Sequence, residues 1–236
     1  MLKKQLAIDL TQPLTGENQF VCGTGHPSMR FWARNDGMIL VIDGILLCRV
    51  DNLLLLKELK ETYHQANAQW FGEMKNLKRL KAILSKYEYE IVNYGPFFTP
   101  SKEFCFEEDP SVILYEYDAL EQFKSHPIFT EPLCFDPLDK DVLAMGIEHE
   151  GEVVALAGMN HNGKHALELG IEVMDTFQKK GYATRLIKAI TSEAMKRYPD
   201  KLILYGTQFT HNQSINVAIR AGFKHAWTEI VLQKMK

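Results

Sequence analysis

Cysteine is scarce and scattered in this chain. Cys22, Cys48, Cys105 and Cys134 are the only four in 236 residues, and none forms a C-x-x-C pair. That spacing gives no sign of a thiolate zinc site or a dithiol redox centre. No carboxylate–histidine cluster has zinc spacing either, so no metal is expected. Long apolar runs are missing too. Stretches such as Met38–Ile42 and Leu53–Leu56 fall far short of the roughly 20 residues of a membrane span. The first 20 residues hold two lysines but no apolar stretch of signal-peptide length. Neither charge dominates: 27 Lys and Arg against 30 Asp and Glu leave a net −3. That balance removes the electrostatic case for a generic nucleic-acid binder. With 46% hydrophobic residues the composition also rejects disorder, collagen and coiled coil, and no internal repeat is present. The expectation is a cytoplasmic protein with free thiols, with no nucleic-acid or membrane partner. Its oligomeric state stays open, a homodimer included.

What is present is a chain long enough for one large domain or two small ones. In the first part, Met38–Ile42 and Ile45–Val50 flank Asp43-Gly44, a dipeptide suited to a hairpin turn with positive φ at both positions. Asp51 is the expected N-cap of a helix beginning LLLL. Leu77, Leu80, Ile83 and Leu84 share one face of a second helix over Asn76–Tyr87. Tyr89–Tyr94 alternates like a strand that Gly95-Pro96 should stop. The segment Thr99–Pro110, with its acidic run Glu107-Glu108-Asp109, marks a domain boundary, giving regions 1–108 and 109–236. Beyond it come a strand Val112–Tyr117, a short helix Asp118–Phe123 and a stretch with Pro127, Pro132 and Pro137 that reads as a surface loop. Strands Val142–Glu148, Val153–Met159 and Ala166–Val173 follow, turning at Glu150-Gly151 and Asn162-Gly163. Helix Tyr182–Arg197, strand Leu202–Phe209, helix Gln213–Ala221 and strand Lys224–Leu232 complete the chain. This succession implies an α/β (α+β) fold with a mixed, mostly antiparallel sheet flanked by helices on both faces, plus an additional N-terminal α+β region.

The stretch with chemical content lies between Val173 and the following helix: Gln178-Lys179-Lys180-Gly181-Tyr182-Ala183, a Q-x-x-G-x-A pattern. The first turn of a helix has amides without internal partners and partial positive charge. Small residues such as Gly181 and Ala183 let a phosphate approach that backbone. Gln178, Lys179, Lys180 and Arg185 would add side-chain donors.

In its setting, this stretch resembles the GNAT superfamily of acetyl-CoA-dependent N-acetyltransferases. The likeness runs from about Leu143 to Val231 and includes LELGIEV, QKKGYAT and YGTQFTHNQSINVAIRAGFKHAWTEI. The last segment looks like a bacterial branch of that superfamily. The resemblance implies acetyl-CoA as co-substrate. It places main-chain groups of Ile171, Glu172, Val173 and Met174 on the pantetheine arm. Gln178, Lys179, Lys180, Gly181, Tyr182, Ala183 and Thr184 would lie around the pyrophosphate, with His211, Asn212 and Ser214 also on the coenzyme side. Two positions depart from the family pattern. His211 stands where an asparagine is usual, with Asn212 one position later, and Ala218 stands where many relatives carry a proton-donating tyrosine.

Transfer to an amine needs a base for the ammonium proton. Glu168 and Glu172 share one face of Ala166–Val173 with Gly170; Glu168 is the first candidate and Glu172 the second. Tyr205 is the candidate acid. A main-chain N–H near Val173 or Met174 would meet the oxyanion. The expected function is acetyl transfer from acetyl-CoA to a primary amine, most simply of a small molecule, by direct attack. The alternative is a non-catalytic acyl-CoA-binding sensor or scaffold, motivated by the two departures. The N-terminal region is expected to select the acceptor, and its element order also fits a degenerate copy of the same fold.

Overall fold

A computed structural model describes residues 1–106 and 108–236; Glu107 of the acidic run lies outside the described residues. In chain order the elements are α1 (Leu2–Asp9), β1 (Gln19–Cys22), β2 (Gly37–Ile42), β3 (Ile45–Val50), α2 (Leu53–Tyr63), α3 (Met74–Lys86) and β4 (Tyr89–Pro100). They continue with β5 (Ile113–Tyr115), β6 (Asp141–His149), β7 (Glu152–His161), β8 (Ala166–Val173), α4 (Tyr182–Arg197), β9 (Leu202–Gly206), α5 (Asn212–Arg220) and β10 (Phe223–Lys234). The chain divides into two compact units, Met1–Phe97 with Ala226–Lys236, and Phe98–His225. The sequence reading placed its boundary at 108/109, whereas the units divide at 97/98 and again at 225/226. Composition cannot register this, because β4 and β10 pass through both divisions without a change in character. Among the described residues no helix is long and apolar enough to cross a membrane.

In the first unit β1 pairs parallel with β3, β3 antiparallel with β2, and β2 antiparallel with β10. Asp43 and Gly44, at φ 49° and 79°, close the β2–β3 hairpin as expected. Helices α2 and α3 pack Leu55, Leu59, Leu80 and Leu84 against Ile39, Leu46, Val50 and Ile230. Each of those helix residues recurs at helical spacing, so one face is apolar and the other solvated. The cap of α2 is Asn52, whose Oδ1 accepts from the amides of Leu54 and Leu55 at 3.0 and 3.1 Å. Asp51, the expected cap, is turned to Tyr89 and to Lys234, whose Nζ lies 2.6 Å from Asp51 Oδ2. β4 runs through Gly95-Pro96 to Pro100 rather than stopping there; the fixed φ of proline suits extended backbone and removes only one ladder donor.

In the second unit β5, β6, β7 and β8 form consecutive antiparallel pairs, and β9 joins β8 in parallel. The turns Glu150-Gly151 and Asn162-Gly163 lie where their sequences require them, with Glu150, Gly151 and Gly163 at positive φ. Leu186, Ile187 and Ile190 of α4 pack on Leu143, Ala157, Leu167 and Leu169. The opposite sheet face is covered by a 3₁₀ helix, Tyr117–Phe123, and by the proline-punctuated segment. There Leu120, Phe123, Phe129 and Leu133 pack on Ala144 and Leu156. The expected surface loop is therefore seated on the sheet.

Candidate functional site

β8 is paired along its whole length with β7, from His161↔Leu167 to Ala155↔Val173. With β9 it pairs only at Ala166, Leu167 and Glu168. From Leu169 to Val173 the edge facing away from β7 therefore has no strand partner among the described residues. Met174 N donates to Val154 O at 3.0 Å, so its amide remains on the β7 ladder. Backbone direction alternates along an antiparallel strand, so Glu172, like Met174, also points its main chain at β7. Leu169, Ile171 and Val173 point theirs at the open side. Of the four residues expected along a pantetheine arm, Ile171 and Val173 are thus presented by their main chain, and Glu172 and Met174 are not. The same geometry turns the Met174 amide toward β7 and the Val173 amide toward the open side.

After β8 the chain makes a 3₁₀ turn, Asp175–Phe177, and then passes through Lys179 at φ 62° and Gly181 at φ 83°. Gly181 is the N-cap of α4, and no side chain caps the helix. The first intrahelical bond is from Arg185 N to Gly181 O, so the amides of Tyr182, Ala183 and Thr184 have no internal partner. Glycine suits this cap because left-handed backbone costs a residue with a Cβ roughly 1–2 kcal/mol. Gln178, Lys179, Lys180 and Gly181 are exposed. The Gln178 amide donates to Asp175 Oδ1 at 2.8 Å, and Lys180 Nζ sits 4.4 Å over the Phe177 ring. Arg185 does not join this group. Its Nε and Nη2 donate to Asp109 at 2.7 and 3.0 Å, and Nη2 also reaches Ser111. Those bonds from Arg185 and Ser111 hold the Asp109 carboxyl well below the usual range.

Glu168 is half-buried and accepts a hydrogen bond from Asn162 Nδ2, a partner that sequence reading did not single out. Glu172 is occupied differently: its Oε2 accepts from the amides of Thr130 and Glu131 at 2.9 and 3.3 Å. Tyr205 is buried in the core, with its hydroxyl 2.7 Å from Ser214 Oγ. Burial pushes its pKa up, against the hydrogen bond with Ser214, so it stays protonated at neutral pH. His211 is the N-cap of α5, with no side-chain cap; His211, Asn212 and Gln213 are exposed and Ser214 is half-buried. Ala218 is 0% exposed. Grooves of about 490 and 530 Å³ lie elsewhere, where Phe106, Asp109 and Pro110 face the flank of α4. Among the described residues no group of three or more His, Cys, Asp or Glu side chains is placed to hold a metal.

Residues 100–223 match the sequence profile of the family described as Acetyltransferase (GNAT) family. No curated protein is a significant match. Similar solved structures include an acetyltransferase from GNAT family from Colwellia psychrerythraea, 15% identical with a TM-score of 0.48, covering 86% of this chain and 82% of that one. A GCN5-related N-acetyltransferase-like protein from Streptococcus suis is 11% identical at TM-score 0.48, covering 83% of each. A GCN5-related N-acetyltransferase from Kribbella flavida is 15% identical at TM-score 0.46, covering 66% of this chain and 63% of that one.

Proposed function

The chain belongs to the GNAT acetyltransferase family, and from that premise we propose that it moves the acetyl group of acetyl-CoA to a primary amine of a small molecule by direct attack. Acyl transfer from acetyl-CoA is the chemistry of the family; the amine acceptor and its small size are our reading. The observation that carries it is the divergence of β8 from β9, which frees the main chain of Ile171 and Val173, next to the exposed and uncapped start of α4. The amides of Tyr182, Ala183 and Thr184, with the backbone turned by Lys179 and Gly181, would hold the pyrophosphate oxygens. Gln178 and Lys180 would border it, with His211 and Asn212 on the same side as further polar groups. Ile171 and Val173 would extend an antiparallel-like ladder to the amides of the pantetheine arm. That leaves the Val173 N–H to stabilise charge on the carbonyl oxygen as the amine adds.

Glu168 is the base. It takes the ammonium proton directly or through one water, oriented by the hydrogen bond from Asn162. The Tyr205 hydroxyl, protonated and bonded to Ser214, is assigned return of a proton to the departing thiolate. A second reading, coenzyme binding without transfer, is favoured by one observation. Ala218 stands where many relatives carry the proton-donating tyrosine, and it is completely buried.

Purified protein incubated with acetyl-CoA and a panel of amines, with free thiol followed over time, separates the two. Turnover above background with any amine supports the transferase; coenzyme binding without turnover across the panel supports the sensor. Glu168→Gln is expected to lower kcat by about 10²–10⁴-fold with coenzyme affinity intact. Unchanged turnover in that variant removes Glu168 from the mechanism.

A further inference from the structure

Two of the strand glycines in the second unit sit directly opposite each other, Gly158 on β7 and Gly170 on β8. Glycine inside a strand gives up side-chain packing and usually marks a close approach of another backbone. Here the approaching backbone is the proline-punctuated segment. A Cβ on Gly158 would run into the carbonyl of Pro132, with its carbon 2.6 Å away. A Cβ on Gly170 would run into the carbonyl of Glu131 and lie 2.9 Å from Pro132 Cα. On one side of this contact the Glu172 carboxylate accepts from Thr130 N and Glu131 N. On the other, Asp141 at the start of β6 accepts from Cys134 N at 3.1 Å and Phe135 N at 2.8 Å. Residues 130–135 are thus a strap laid across β8, β7 and β6. It is pinned by one carboxylate at each end and seated in the middle on two positions without side chains.

The strap lies on the face of β8 that carries Glu168, Gly170 and Glu172, because these three alternate with Leu167, Leu169 and Ile171 on the α4 side. A strap fixed one and two residue pairs away from the base borders any acceptor that reaches it. Resting on the assignment of Glu168 as base, we propose that Glu172 is a positioning residue: it fixes strap 130–135 so that the acceptor amine meets Glu168 at the point where β8 leaves β9. Glu172 takes no proton in the reaction. Its contribution is a single oxygen, Oε2, which receives both strap amides, and an uncharged carboxamide oxygen can receive them as well.

This separates positioning from chemistry in one comparison. Glu172→Gln keeps an acceptor oxygen but cannot act as a base, and Glu172→Ala loses both. Kinetics are measured with acetyl-CoA and whichever panel amine the wild type turns over fastest, alongside hydrogen exchange of the peptide spanning 128–136. Glu172→Gln is expected to stay within about three-fold of wild type in kcat, in KM for the amine and in exchange rate. Glu172→Ala is expected to raise KM for the amine about ten- to hundred-fold, to speed exchange of the strap amides about five- to ten-fold, and to leave coenzyme affinity unchanged. Gly170→Ala approaches the strap from the other side and is expected to reproduce the alanine result with Glu172 intact. A Glu172→Gln variant as impaired in kcat as Glu172→Ala, with strap exchange unchanged, would overturn the proposal and make Glu172 a chemical participant. Wild-type kinetics and exchange in both Glu172→Ala and Gly170→Ala would overturn it equally. If no amine is turned over by the wild type, the transferase reading fails by itself, and exchange still decides whether Glu172 holds the strap.

Discussion

Replacing Arg30 by methionine puts a buried charge cluster of the first unit to the test. Arg30 is 1% exposed, with Nε 2.6 Å from Asp9 Oδ2 and Nη1 2.7 Å from Glu229 Oε2. Asp9 also accepts from Arg30 N at 3.0 Å and Gln5 Nε2 at 2.9 Å, and Glu229 from Trp227 Nε1 at 3.0 Å. The guanidinium lies 5.4 and 5.0 Å from the ring centroids of Phe97 and Trp227. Burial works against its charge, but Glu229 and Asp9 more than offset that and hold its pKa above the ordinary value. Methionine keeps most of the stem volume yet strands two buried carboxylates. Removing one side of such a cluster costs about 3–5 kcal/mol. At about 4 °C per kcal/mol for a unit of roughly a hundred residues, Tm falls by about 12–20 °C. All three tryptophans, Trp32, Trp70 and Trp227, belong to this unit, so tryptophan fluorescence during heating reads its unfolding separately from the second unit. Adding Asp9→Asn and Glu229→Gln to Arg30→Met should recover part of the loss by removing the stranded charges. A melting point within 2 °C of wild type at pH 7.5 (about 0.5 kcal/mol) would refute the reasoning.

Two further outcomes are expected. Asp109→Asn breaks the ion pair with Arg185, whose side chain is 38% exposed, so solvent screening limits the loss to about 1 kcal/mol at pH 7. Because the Asp109 pKa is depressed in the folded state, its contribution is complete above the unfolded value near about 4 and lost as pH falls through the folded one. The calorimetric difference from wild type should accordingly vanish in strong acid, and a constant gap down to that range would contradict it. Burial pushes the Cys48 thiol up to about 12, and desolvation of its sulfur pushes the Cys134 thiol up to about 11 although that residue, like Cys22 and Cys105, is exposed. An aromatic disulfide reagent at pH 8 should titrate two thiols quickly, with Cys48 reacting only on unfolding; equally rapid modification of Cys48 would show that its strand opens.

Much of the local structure can be read from residue order because its causes are local. Asp43-Gly44, Glu150-Gly151 and Asn162-Gly163 turn where the chain needs positive φ, and Leu186, Ile187 and Ile190 mark the buried face of α4 by spacing alone. The Q-x-x-G-x-A loop likewise predicts an uncapped helix start. Features joined across distance leave no such trace. Arg30 and Glu229 are 199 residues apart, Asp9 lies further still from Glu229, and nothing in their neighbourhoods says that the three meet. The seat of the strap is encoded by Gly158 and Gly170, but alternation reads them only as weak strand positions until the carbonyls of Glu131 and Pro132 are placed above them. The assignment of α2's cap to Asp51 missed by one residue, because Asp51 and Asn52 are both good caps and only the partners Tyr89 and Lys234 separate them.

The pairing of β2 with β10, from Thr228↔Val41 to Leu232↔Gly37, has a consequence for biosynthesis. A ribosome makes Gly37–Ile42 well before Thr228–Leu232, so hydrogen-bonding groups along one side of that strand wait for their β10 partner while nearly two hundred further residues are added. The N-terminal unit therefore cannot mature as it emerges, and nascent chains stalled before residue 228 should remain open to chaperones and proteases even when the intervening unit has already folded.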